Sequence, residues 1–170
     1  LGTIFTVDVS DLGTQVMVER GRVEVACALA ATQILTAGGE TTCVRASAAN
    51  LLNLAIASRS RGGPDGRVLG LAEQGLAVQE EDGPVRDELR LVRFQTLLSL
   101  GRTGDARAAA DDYLVRASAG RRSDVLRTAA KLAFSDGGCP LGAPYLRDLR
   151  ATGAAQADDL VPLARCLMGQ

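Results

Sequence analysis

The chain has 170 residues, 46% of them hydrophobic and 23% charged, an ordinary balance for a globular protein that can bury one good core or two small ones. Its 19 basic and 20 acidic residues are spread along the sequence for a net charge of -1, so there is no basic stripe to attract DNA or RNA. No histidine is present, which excludes Ser-His-Asp and Cys-His chemistry, and no apolar run approaches the ~18 residues of a membrane span.

The first 44 or so residues alternate with a period of two. In Thr3 to Val9, Phe5, Val7 and Val9 fall on one face and Thr6 and Asp8 on the other, the pattern of a half-buried strand. Ser10, Asp11 and Gly13 supply turn chemistry. A second strand, Thr14 to Arg20, is predicted to turn Val16 and Val18 inward and Gln15, Met17 and Glu19 outward, stopping at Gly21. A third runs from Arg22 to about Ala28 with Val23, Val25 and Cys27, a fourth spans Gln33 to Leu35, and a last short one ends at Cys43-Val44. The expectation is a small antiparallel β-meander with a thin core.

These residues carry a resemblance. Gly2-Thr3-Ile4-Phe5-Thr6-Val7, then Val16-Met17-Val18-Glu19-Arg20-Gly21-Arg22-Val23-Glu24-Val25, then Leu35-Thr36-Ala37-Gly38, resembles the C-terminal half of a FecR domain in order and spacing. The resemblance covers residues 1–45 and implies an all-β domain in the periplasm, on the extracytoplasmic side of a bacterial inner membrane. Some members of that family are anti-sigma regulators in signal transduction across the cell envelope. The family's N-terminal strands, membrane helix and cytoplasmic segment are not in this sequence, so anti-sigma activity is not assigned. Leu1 in place of a methionine, heading a strand-like run, is read as the start of a fragment whose parent is membrane-anchored.

From about Ala46 the period becomes helical. Asn50 to Ile56 is closed by Gly62-Gly63-Pro64. Val68 to Gln79 follows, although Gly70 and Gly75 each cost roughly 1 kcal/mol in a helix interior. Val85 to Leu100 is the clearest helix, with Leu97 and Leu100 expected between helices, and Asp105 to about Arg116 follows a short turn. Ser123 is a candidate N-cap for the next helix, halted at Asp136-Gly137-Gly138. Pro140 and Pro144 both suit only a first turn, so the start of the following helix, through Tyr145, Leu146 and Leu149 to Gly153, stays open. Asp159 to Met168 is the last.

Turns near Gly62, Arg102 and Gly137 give a period of about 35 to 40 residues, the mark of stacked helical hairpins. Leu97 to Arg107 followed by Tyr113-Leu114 resembles the helix-turn-helix of tetratricopeptide repeats, with its Leu-Gly-Arg turn, though the usual aromatic of each first helix is lacking. That resemblance implies a groove for peptides or partner proteins and no catalysis. The fold expected is α+β: a FecR-like β-module in residues 1–45 and a tetratricopeptide-like α-helical hairpin solenoid in residues 46–170.

Cys27 and Cys43 lie in the strand half and Cys139 and Cys166 in the last helical hairpin, so of three possible connectivities modularity favours Cys27–Cys43 and Cys139–Cys166. Antiparallel terminal helices would make the second pair neighbours. Buried free thiols remain the alternative, while the lack of histidine and of CxxC spacing disfavours zinc. Disulfides imply an oxidising compartment. Acidic clusters at Glu80-Glu81-Asp82, Asp111-Asp112 and Asp158-Asp159 are read as solvated or capping groups, and Arg59, Arg61 and Arg67 as a solvated edge rather than an anion-binding rim. The glycine run at Gly62 lacks the Lys-Ser/Thr ending of a phosphate loop. One reactive candidate remains: some FecR-like regulators cut themselves at a Gly-Thr bond, and Gly2-Thr3 occupies that position. The reading is a non-enzymatic interaction module without cofactor or metal, binding a partner protein or peptide and no nucleic acid; the alternatives are an envelope scaffold and a self-cleaving regulator.

Overall fold

The computed structural model describes residues 2–10, 13–27, 32–78, 81–117 and 120–168. Asp11, the expected strand end at Ala28, the helix end at Gln79, and Glu80 lie outside the described residues.

The strand half is antiparallel throughout. It contains β1 (Ile4–Ser10), β2 (Gly13–Arg20), β3 (Arg22–Val25), β4 (Gln33–Thr36) and β5 (Glu40–Val44). The strands divide into two sheets, β1-β2-β5 and β3-β4. Gly21, with φ +94°, turns the chain out of the first sheet so that β3 starts a ribbon of its own, while β2 keeps β1 and β5 as neighbours. Thr14 pairs with Cys43 and Val16 with Thr41 across the β2-β5 ladder. The turn after β4 is tied to β2 through Val18, whose N–H donates to the Gly39 carbonyl at 2.9 Å and whose carbonyl accepts from the Gly38 N–H at 2.8 Å. Among the described residues the core sets Val16 and Val18 against Val25 and Leu35, flanked by Val23, Cys27 and Cys43. Burying these side chains contributes about 1.5–3 kcal/mol each, a thin core for a module of this length.

Val16 and Val18 face inward and Gln15, Met17 and Glu19 outward, as the alternation predicts. The same pattern fails on β1. Phe5, Val7 and Val9 share a face with Val16 and Val18, being paired with Val18, Val16 and Thr14. All three are nevertheless exposed. The β3-β4 ribbon covers β2 and stops short of the neighbouring strand, so alternation named the correct face and not its cover.

Among the described residues seven helices follow: α1 (Ala48–Ser60), α2 (Asp65–Ala77), α3 (Pro84–Ser99), α4 (Thr103–Arg116), α5 (Arg122–Gly137), α6 (Cys139–Ala151) and α7 (Ala157–Met168). Each packs on the next in chain order, and α1 also touches α3. The hairpin turns carry glycine in the left-handed region at Gly62 (φ 69°), Gly101 (φ 69°) and Gly138 (φ 65°), where a Cβ would strain the backbone. Helices α1, α3, α5 and α7 begin at Ala48, Pro84, Arg122 and Ala157, which is the repeat read from the turns.

Several boundaries differ from expectation. Ser47 caps α1, its hydroxyl accepting from the Asn50 N–H at 3.2 Å. Ser123 does not cap α5: Arg121 stands at the N-cap without a side-chain bond, and Ser123 lies inside the first turn. Leu100 is the C-cap of α3 and 40% exposed, whereas Leu97 is buried as expected. Helix α6 starts at Cys139, which puts Pro140 in the first turn and leaves Pro144 inside the helix. Three clusters form the helical core: Leu51, Val68 and Leu89 across α1-α3; Phe94, Ala109, Tyr113 and Val125 across α3-α5; and Leu126, Leu146, Leu149 and Leu163 across α5-α7.

Candidate functional site

Short side chains shape a cleft on the helical half. Ala106, Ala109 and Ala110 let α4 pack closely on its neighbours, and Gly142 lets α6 press on Phe134, since a Cβ there would stand 2.3 Å from the ring. Between α4 and α6 an open cleft of about 440 Å³ remains, lined by Asp111, Leu114 and Val115, by Arg122 at the start of α5, and by Pro140, Leu141, Pro144, Tyr145 and Asp148. The Tyr145 hydroxyl donates to Asp111 Oδ1 at 2.6 Å, bridging the two walls. Burial first, and the Asp111 bond second, push the phenol well above its ordinary pKa, so it keeps its proton. The Arg122 guanidinium donates to the Leu114 carbonyl. Val115 is 84% and Leu141 43% exposed, so the rims are apolar while the floor is hydrogen-bonded. An apolar cleft with a few fixed polar groups is suited to binding.

Another cleft, of about 560 Å³, opens in the strand half beside Val9, Val16, Val25, Cys27, Cys43 and Arg45. It adjoins residues 11–12 and 28–31, outside the described residues, and we assign it no ligand.

The four cysteines form two bonds. Cys27–Cys43, with Cα atoms 5.2 Å apart, joins the end of the β3-β4 ribbon to β5 and so closes one sheet on the other. Cys139–Cys166, with Cα atoms 5.5 Å apart, joins the start of α6 to the end of α7, the neighbours that an antiparallel pair creates. Two disulfides fit an oxidising, extracytoplasmic environment. Among the described residues no helix is long and apolar enough to cross a membrane, and no group of three His, Cys, Asp or Glu side chains is placed to hold a metal ion.

Gly2 and Thr3 enter β1 on the surface. Arg20 Nε donates to the Gly2 carbonyl oxygen at 3.2 Å, and the Thr3 hydroxyl lies over Gly21, where a Cβ would come within 2.5 Å of it. The carbonyl that a Thr3 attack would need is thus held by a cation.

Some members of the acidic clusters and of the arginine edge tie elements together: Asp82, Asp111, Asp112 and Asp159 among the acids, and Arg59 among the arginines. Arg90 is 2% exposed and meets Asp82, Asp87 at 3.2 Å and Asp112 at 3.7 Å, so one guanidinium gathers carboxylates from the segment before α3, from α3 and from α4. The hydrogen bond from Arg90 holds the Asp82 carboxyl below its ordinary pKa. Asp159 accepts from Arg127 Nε at 3.0 and 3.1 Å and from the Gln156 N–H at 3.0 Å. Burial alone would raise its pKa, yet these donors outweigh burial and lower it. Arg59 spans α1 to α3, donating to Gln95 Oε1 at 2.9 Å, the Val92 carbonyl at 3.2 Å and Thr96 Oγ1 at 2.7 Å. Arg61 turns back to the Ala57 carbonyl at 3.0 Å, and Arg67 is exposed. Helical periodicity carried one usable signal for these ties, Arg90 falling on the same face as buried Asp87 and Leu97; the partners on other helices had none.

Compared with family models, curated proteins and solved structures, the chain matches none.

Proposed function

We propose that this chain is a non-enzymatic interaction module of a FecR-like envelope regulator, acting in the periplasm, in which tetratricopeptide-like hairpins bind a partner protein or peptide. The cleft between α4 and α6 carries the reading: its rims, Val115 and Leu141, offer apolar contact to an extended peptide, and Asp111, Arg122 and Asp148 offer polar contact along it. The disulfides support the compartment. The test uses the whole chain as bait for periplasmic proteins, read by mass spectrometry. A protein captured by the native chain is lost when Val115→Glu and Leu141→Glu are combined, with the helical circular-dichroism signal unchanged. Undiminished capture by that variant removes the cleft from the reading.

One observation favours a second reading, a self-cleaving regulator. The Arg20 bond to the Gly2 carbonyl would polarise its carbon toward the Thr3 hydroxyl; attack breaks the Gly2–Thr3 C–N bond, the hydroxyl proton passes to the freed Thr3 amine, and water hydrolyses the resulting Gly2 ester to a carboxylate and the restored hydroxyl. A fragment beginning at Thr3, present in the native protein and absent in Thr3→Ala, establishes it.

A further inference from the structure

The acidic residues of α4, α5 and α6 divide into two groups. Asp105 is paired with Arg102, Asp112 with Arg116, Asp124 with Arg127 and Asp136 with Arg107. Asp111 and Asp148 have no ion pair among the described residues, and these two line the α4-α6 cleft, one on each wall. Asp111 Oδ1 accepts from the Tyr145 hydroxyl at 2.6 Å, which fixes the carboxylate and leaves Oδ2 to a ligand. Asp148 stands three residues beyond Tyr145 on α6, about 4.5 Å of helix rise, and is exposed. The one cation among the described lining residues, Arg122, donates to the Leu114 carbonyl, and Arg107 close by is taken up by Asp136 at 3.0 Å. Two carboxylates thus face the cleft against one guanidinium. A ligand that covers them without bringing positive charge leaves them desolvated and uncompensated.

Taking the α4-α6 cleft as the binding site, the reading above on which this rests, we propose that its occupant is an extended peptide anchored by a basic side chain: an arginine or lysine, flanked by apolar residues, whose cationic head sits between Asp111 and Asp148. Long basic side chains bury their methylene stems while the head stays among polar groups, and Leu141 and Pro144 give the stem an apolar wall. Arginine suits the site better than lysine, since its planar fork reaches two carboxylates at once and stacks on an aromatic ring such as Tyr145. The apolar neighbours in the peptide cover the exposed Val115 and Leu141. An acidic peptide would meet both carboxylates, and an isolated cation would leave the rims bare.

The experiment selects random octapeptides, displayed on phage, on the whole chain with its native disulfides. Selected peptides should share an arginine or lysine with apolar neighbours, and one of them is then synthesised and titrated against variants. Val115→Ser with Leu141→Ser removes the apolar rims without adding charge and should weaken binding about tenfold. Asp148→Asn should weaken it about three- to fivefold, the share of an exposed carboxylate, and added salt should narrow that gap. Asp148→Lys should reverse the preference, so that the analogue with glutamate in place of the basic residue binds more tightly than the selected peptide. Asp148 is exposed, so both of its variants should keep the helical circular-dichroism signal. Peptides that depend on Val115 and Leu141 yet share no basic residue, or that bind Asp148→Lys as tightly as the native chain, overturn the proposal and leave the cleft as the site. Peptides indifferent to the paired serine substitutions, or no selected peptide at all, overturn the cleft reading and the proposal with it.

Discussion

A Cβ added at Gly70 of α2 meets nothing within 4 Å, whereas one at Gly75 falls 2.8 Å from Leu89 Cδ1 and 3.3 Å from Leu51 Cβ. Helix propensity penalises both glycines alike, which made α2 the weakest helix to read from sequence. Packing separates them: Gly75 is where α2 lies close against α1 and α3. Leu89 is fully buried, so its methyls have no room to yield. Gly70→Ala should stabilise the protein by up to about 1 kcal/mol. Gly75→Ala should destabilise it, because overpacking of about 1–3 kcal/mol exceeds the propensity gain. Denaturant titration of the two variants checks both signs. Arg90 gives the complementary case. Arg90→Ala removes a buried stem and its ion pairs to Asp82, Asp87 and Asp112, while Asp82 keeps Arg86 and Asp112 keeps Arg116, so a loss of about 1–3 kcal/mol is expected in the same titration. A charged residue at a core position of the α3 pattern was visible in sequence; its three partners, two of them off the helix, were not.

At the scale of elements, α7 is held to the stack by three means: Leu163 in the last core cluster, the Cys139–Cys166 bond, and Asp159 on Arg127. The first two were legible, from helical periodicity and from one cysteine pair per module. The third was not, because a carboxylate near a helix start reads equally well as a cap. It has a consequence in acid. The folded-state pKa of Asp159 lies below the ordinary 3.8, so its contribution is fully present above that value and is lost as pH falls through the lowered one. Thermal unfolding should show Tm falling below about pH 4, with a shallower fall in Asp159→Asn. Strand β1 shows the limit of alternation at this scale: period two fixes which side chains share a face, while the reach of the covering ribbon depends on chain geometry several strands away. Of the two disulfides, Cys27–Cys43 matters more to its own surroundings. Either loop closure is worth about 3 kcal/mol in the chain-entropy model, but among the described residues the strand core beside it is small, Val16, Val18, Val25 and Leu35. Cys27→Ser with Cys43→Ser should therefore lose strand structure while helix is retained, as amide hydrogen exchange would report.

For the whole molecule, the change of period near residue 45 coincides with a division of the core: among the described residues no core cluster mixes strand and helix side chains. Val16, Val18, Val25 and Leu35 bury one another, and the helical core begins at Ala48. The join is short and hydrogen-bonded, the Asn50 side-chain amide and the Ser47 N–H both donating to the Arg45 carbonyl, at 2.9 and 3.0 Å. Each disulfide also closes within its own half. Cores that share no residues lose little when separated. Residues 46–170 alone should thus unfold cooperatively, with a midpoint in urea close to that of the helical transition of the whole chain. The strand half alone, with its thin core, should unfold at lower denaturant. If binding resides in the α4-α6 cleft, residues 46–170 also retain any partner the whole chain captures, and Val115→Glu with Leu141→Glu abolishes capture by both. A fragment that fails to fold, or a helical transition that moves when Cys27 and Cys43 are replaced, would show the halves to be energetically coupled and the boundary to be one of pattern alone.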